Sequence, residues 1–173
     1  FWQAYGTTLA LAAAAAVLTS VLAFPASYAI AFKMSDTARR WAVFLMVIPF
    51  FTSYLVRVSS WQIFLSDNAI INAALGSVGL LPSEGRVLST PWAVIGGLVY
   101  NFLPFMVLPI YVSLEKVQVG LIDAASDLYS SFSRTFRSVI LPLSIPGVLA
   151  GSLLCFIPAS GDFINADYLG STQ

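Results

Sequence analysis

The stretch from Tyr5 to Phe32 contains no charged residue, and this more than anything else limits what the chain can become. It is rich in Ala, Leu and Val. At about 1.5 Å of rise per residue it is long enough to cross a hydrocarbon layer of about 30 Å with some tilt. Pro25, followed by the small residues Ala26 and Ser27, is expected to kink it near one end. Composition agrees: with 58% hydrophobic and 9% charged residues, the 173-residue chain falls among membrane proteins. The formal net charge is zero, so no basic surface argues for nucleic acid. There is no histidine, and the single cysteine, Cys155, lies inside an apolar run. An intrachain disulfide, a Cys/His zinc cluster and a Ser-His-Asp triad are therefore excluded. A phosphate-binding GxxxxGK[ST] loop is also absent, so this chain is not expected to hydrolyse ATP itself. No catalytic residue, metal ligand or cofactor is expected.

Three more apolar segments follow. A polar loop, Lys33 to Arg40, with three basic residues leads into the second, Trp41 to Leu65, which contains Pro49 and one charge, Arg57. Ser66 to Thr90 is too interrupted by Gly76, Gly79 and Pro82 to span, and reads as a loop with an interfacial helical turn or two. The third segment is Pro91 to Leu114. Pro91 suits a first helical turn, whereas Pro104 and Pro109 imply kinks supported by neighbouring helices. The fourth is Val139 to Ile157, followed by a polar, acidic tail. The expected fold is all-α and polytopic, with four transmembrane helices in a single domain over residues 1–173. The chain begins at Phe1 without Met and shows no signal-peptide pattern, so a fragment of a longer protein is expected. Gly96–Gly97 and Ala150–Gly151 read as places of close helix packing.

Basic residues set an orientation. Lys33, Arg39, Arg40, Lys116, Arg134 and Arg137 fall on one set of loops. Arg57 and Arg86 fall toward the other, with Asp67, Glu84, Asp162 and Asp167. The excess of Lys and Arg places the first set in the cytoplasm.

One of those cytoplasmic loops, Glu115 to Ser138, carries an apolar stripe at helical spacing: Leu121, Ala124, Ala125, Leu128 and Phe132. Asp123 and Asp127, four apart, share another face. Such a helix either lies flat at the membrane interface or docks its apolar face on a partner. Asp123-Ala124-Ala125, continued by Val139-Ile140-Leu141-Pro142, resembles the EAA motif of ABC-importer permeases, E-A-A-x-x-x-G and then I-x-L-P. Asp123 stands for Glu and Val139 for Ile, while Tyr129 occupies the position of the motif's glycine. The resemblance implies that Asp123, Ala124, Ala125, Asp127, Leu128, Tyr129, Leu141 and Pro142 form a coupling element that seats in a cytoplasmic ATPase.

Three longer stretches, Pro49–Asn72, Gly97–Lys116 and Pro146–Gly170, are similar to the spermidine/putrescine branch of that family. That resemblance implies a subunit of about six spans in a bacterial inner membrane, of which the first and last would be missing here. It also implies a second permease subunit, a dimer of ATPase subunits, and a periplasmic or lipid-anchored binding protein that delivers polyamine. The same fold carrying ferric ion, thiamine or an oxyanion is the alternative, and an ATP-independent channel or secondary transporter is a more distant one. The spans hold no Asp or Glu for a proton relay.

A polycation is received by carboxylates and aromatic faces. Asp162 with Tyr54, Trp61, Tyr100 and Phe102 are the candidates for an outward gate or transient site. Arg57, the charge inside a segment, either snorkels or pairs between helices, or stands at the gate.

Overall fold

The computed structural model describes residues 2–65, 90–117, 119–127 and 131–170, and every regular element among them is helical. The loop expected over 66–89, with Asp67, Glu84 and Arg86, lies outside the described residues. Helix α1 is Trp2–Phe32, matching the uncharged stretch almost end to end. Helix α2, Asp36–Val47, is followed by a 3-10 turn, Ile48–Phe51, and by α3, Tyr54–Leu65. Helix α4 is Pro91–Glu115 and α5 is Val119–Asp127. Next come α6, Phe132–Thr135, a π-helical turn, Phe136–Ile140, and α7, Leu141–Ser160. Helix α8, Phe163–Gly170, is the last described element. Three helical stretches, Gly6–Phe32, Pro91–Glu115 and Phe132–Ser160, are long and apolar enough to cross a membrane.

Four boundaries differ from expectation, each for a local reason. The segment expected from Trp41 to Leu65 is broken at Pro49, which has no N–H and cannot continue an α-helix. The chain tightens there into a 3-10 turn, with Thr52 N–H donating to the Pro49 carbonyl at 3.2 Å, and restarts when Arg57 N–H reaches the Ser53 carbonyl at 3.1 Å. Arg39 and Arg40 are helical, in α2, rather than in a loop. The fourth apolar helix starts at Phe132 instead of Val139, because Arg134 and Arg137 are carried on its exposed face. The acidic tail is a helix, α8, held by the fully buried Leu169.

The chain divides into two compact units. One comprises Val17–Val47 and Phe102–Cys155. Its interior is a stripe of α4, with Met106, Val107, Ile110 and Leu114 all fully buried. The Ser27 hydroxyl, also fully buried, donates to the Val107 carbonyl at 3.0 Å, so α1 contributes a polar group to this interior without leaving it unpaired. Gly147 and Gly151, one turn apart on α7, face Pro109, Ser113 and Met106 of α4. Small residues at this spacing let two backbones approach. Gly151 therefore does what its sequence suggested; Ala150 is exposed, and Gly147 is the true second member of the pair. Phe24 meets Phe136 edge-on at 5.5 Å and Tyr28 meets Phe132 at 6.3 Å, fixing α1 against α6 and the π turn.

Arg39 closes the end of α1 in the same unit. Its Nε donates to the Ile30 carbonyl at 3.1 Å and its Nη2 to the Ala31 carbonyl at 2.8 Å, satisfying two of the orphan acceptors at the helix C-terminus. Asp36 lies 3.6 Å from the same guanidinium. Arg40 only reaches the Asp36 carbonyl of its own helix, at 3.2 Å. Arg39→Met should thus destabilise the detergent-purified protein by about 1 kcal/mol, as expected for a partly exposed charged donor, and so lower its thermal unfolding midpoint. Arg40→Met should leave it unchanged, and equal midpoints for the two variants would show that the cap carries no weight.

The other unit comprises Phe1–Ala16, Ile48–Asn101 and Phe156–Gln173. Val58 and Leu65 of α3, Val94 and Leu98 of α4, Ala12 and Ala15 of α1 and Leu169 of α8 are among its buried apolar residues. Helix α8 lies on α3 and brings Gly170 against Val94, where an added Cβ would come within 2.8 Å of Cγ2.

Candidate functional site

Two groups of sequence candidates are assembled, one in each unit. The first is the segment from Val119 to Pro142. Ala124 and Ala125 are strong helix formers and sit in α5. The expected stripe does not run on one helix: Ser131 is extended (φ −65°, ψ 155°), so Phe132 opens a new helix and turns to Tyr28 and Phe136. What remains of the stripe is open. Leu121 is 48% exposed and Ala124 is exposed, while Ala125 is half-buried. Asp123 and Asp127 belong to the backbone of α5, and Leu128 and Tyr129 lie outside the described residues. Among the described residues α5 packs on α6 and the π turn, and Leu121 and Ala124 stay exposed.

The π turn has a cause in the same motif. Pro142 carries no N–H for the carbonyl of Ser138, and its ring would clash there in an α-helix. Instead Leu141 N–H bonds to the Phe136 carbonyl, five residues back. A widened turn of this kind often marks a functional position in a helix. Leu141 and Pro142 are both exposed beside it.

The second group lies in the other unit. Tyr54, Arg57 and Trp61 recur along one side of α3 at i, i+3 and i+7. The Tyr54 hydroxyl donates to the Asp162 carboxylate, on the turn after α7. The Arg57 guanidinium carbon lies 5.6 Å from the Tyr54 ring centroid. Trp61 stacks on Tyr100 with centroids 5.5 Å apart and planes within 3°. Gly96 makes room for it, because a Cβ there would already touch the Trp61 ring at 3.4 Å. Five of the six residues foreseen as a path or gate thus fall in one unit, linked in two contacts groups by α3. Phe102 falls in the other unit, 6.0 Å from Phe105, with its carbonyl accepting from Cys155 Sγ at 3.5 Å.

Asp162 also lines an open cavity of about 820 Å³, together with Thr7, Thr8, Pro91, Ser160 and Asp167. Among the described residues its lining carries two carboxylates and no basic side chain. It can receive a cation. Among the described residues no cluster of acidic or sulfur ligands could hold a metal ion.

Sequence reasoning passed over Asn101. Its side chain is 2% exposed, and among the described residues neither amide atom has a hydrogen-bond partner. The signal was available, since Asn101 is the one Asn, Gln, Asp or Glu between Pro91 and Leu114.

A family model described as the binding-protein-dependent transport system inner membrane component matches residues 20–173. The spermidine/putrescine transport system permease protein PotB of Escherichia coli K12 is 40% identical, over 96% of this chain and 60% of its own length. The protein of the same name from Haemophilus influenzae is 38% identical, over 99% of this chain and 59% of its own. The inner membrane ABC transporter permease protein YdcU of Escherichia coli K12 is 32% identical, over 94% and 56%. The chain spans about three-fifths of the length of the curated relatives it matches. With the match extending over most of its length, and with three helices able to cross a bilayer, the chain belongs to the family of inner membrane components of binding-protein-dependent transport systems.

Proposed function

We propose that the chain is the membrane-spanning part of a permease subunit in an ATP-driven importer of polyamines. The observation that carries the reading is the 40% identity, along nearly the whole chain, to proteins named for spermidine and putrescine transport. The geometry agrees with it in two places. An exposed apolar surface on α5, followed by the π turn at Pro142, offers a docking element for a moving partner. A cavity lined by Asp162 and Asp167 offers carboxylates to a polycation, with Tyr54 holding Asp162 in place.

In this reading residues 1–173 are one transmembrane domain with four of a permease's six spans. The second is the broken segment α2, 3-10 turn and α3, and the excess of basic residues keeps α5 in the cytoplasm. ATP binding closes the ATPase subunits, their motion is transmitted through Asp123–Tyr129, and the spans rock between inward-open and outward-open states. A second permease subunit lines the other side of the path, and a binding protein delivers the solute. Hydrolysis belongs to the ATPase partner, and this subunit has no catalytic role of its own.

The test is uptake by cells that depend on the complete permease and its partners for polyamine import. Labelled spermidine should enter, and excess unlabelled spermidine or putrescine should compete, while ferric ion, thiamine and phosphate should not. The complex should co-purify with an ATPase. Competition by one of the other solutes, or accumulation without an ATPase, would replace this reading with a rival.

A further inference from the structure

Asn101 is an anomaly for packing alone. It lies in α4, inside a helix apolar enough to span, with its amide nitrogen and oxygen both buried and both unpaired among the described residues. Native proteins rarely leave such groups without partners, and a membrane interior has no bulk water to replace them. Leucine has the same number and branching of side-chain heavy atoms and would bury no unpaired polar group there. A polar side chain retained at such a depth marks a functional position by default.

Its surroundings indicate the function. Trp61 stacks on Tyr100, the residue before Asn101. Pro104 has no N–H, so the Tyr100 carbonyl lacks the helical donor that residue would supply. Asn101 Oδ1 is thus a buried, neutral oxygen acceptor on the helix that also carries Tyr100 of the aromatic pair. Acceptor oxygens and ring faces are the groups that take an alkylammonium out of water. Neutral acceptors also suit passage, since a site in a path must bind weakly enough to release.

Resting on the polyamine reading above, we propose that Asn101 is a specificity-determining residue of the translocation path, its side-chain oxygen accepting a hydrogen bond from an ammonium group of the passing solute. The sealed and unpaired amide belongs to a conformation in which the path is closed at this level.

The test uses the complete transporter in proteoliposomes, comparing wild type, Asn101→Leu and Asn101→Ser. The leucine variant should assemble with an unfolding midpoint at or above wild type. Its spermidine uptake should fall, or its half-saturation rise, by about tenfold or more, the weight of a hydrogen bond to a charged group. The serine variant, which keeps an oxygen acceptor, should recover most of that loss. Wild-type uptake by Asn101→Leu would overturn the proposal and leave the amide to a buried water. Equal losses of assembly in both variants would assign Asn101 to folding and overturn it as well. A separate arm does not depend on the solute: Asn101→Cys in a Cys155→Ala background should react with 2-aminoethyl methanethiosulfonate in at least one nucleotide state. If wild type imports no polyamine but the cysteine is labelled, the substrate reading fails and the path position stands. No labelling in any state overturns the position itself.

Discussion

Replacing Ala124 by Arg should strongly reduce ATP-driven uptake while leaving the protein folded, and adding Ala125→Glu should make the loss complete. Ala124 is exposed and Ala125 half-buried, so neither new side chain has to enter a packed interior. Arg and Glu are good helix formers, and α5 therefore retains its conformation. What changes is the surface that the proposed coupling role gives to a partner. A long charged side chain in the middle of a small apolar docking face costs about 2 kcal/mol or more when it must be desolvated, or about thirtyfold in association. The readout is paired: solute uptake and ATP hydrolysis by the assembled complex. Uptake should collapse, with hydrolysis either lost with the ATPase or continuing without import. The unfolding midpoint of the permease should match wild type. Normal uptake by both variants would remove α5 from the coupling mechanism and return it to the membrane interface.

How far the sequence reveals this molecule depends on the kind of force that shapes each part. The uncharged stretch of α1 and the Pro91–Glu115 helix could be read nearly to the residue, because length and apolarity are one-dimensional properties. Pro49 was visible inside the second segment, but whether a proline kinks a helix or ends it depends on what satisfies the freed carbonyls. Here the chain answers with a 3-10 turn and a restart at Tyr54. Helix α8 escaped because its polar residues dilute the apolar signal and its anchor, Leu169, finds its place only through tertiary contact with α3. The site shows the same split. Tyr54, Arg57 and Trp61 share a side by helical periodicity, whereas the Tyr54–Asp162 bond joins residues far apart in sequence. The stacking of Trp61 on Tyr100 has no signature in either residue's neighbourhood.

The glycines give a sharper example, because the same substitution should have opposite effects at two of them. A Cβ on Gly147 would lie 2.5 Å from the Pro109 carbonyl oxygen, 2.5 Å from Ser113 Oγ and 2.8 Å from Ser113 Cβ. The hydroxyl can rotate away. The carbonyl and Cβ are fixed to α4 and cannot, so α7 must move outward. That movement also loosens the contact one turn on, where Gly151 sits against Met106 with a would-be Cβ 3.3 Å from its Cα. In a bilayer this loss is not recovered by hydrophobic burial, since lipid tails are as apolar as the helix face, and close van der Waals packing supplies much of the association. Gly147→Ala should therefore destabilise the protein by about 2 kcal/mol, an overpacking cost reduced by the better helix propensity of alanine. At Gly120, on α5, nothing lies within 4 Å of the added methyl, and Gly120→Ala should be neutral or slightly stabilising. Unfolding in detergent mixtures would compare the two directly. Ser113→Gly, which removes two of the three clashing atoms, should restore part of the loss in a Gly147→Ala background. If Gly147→Ala proved as stable as Gly120→Ala, α4 and α7 would not approach at this point, and the small-residue pair on α7 would have to be explained by something other than helix packing.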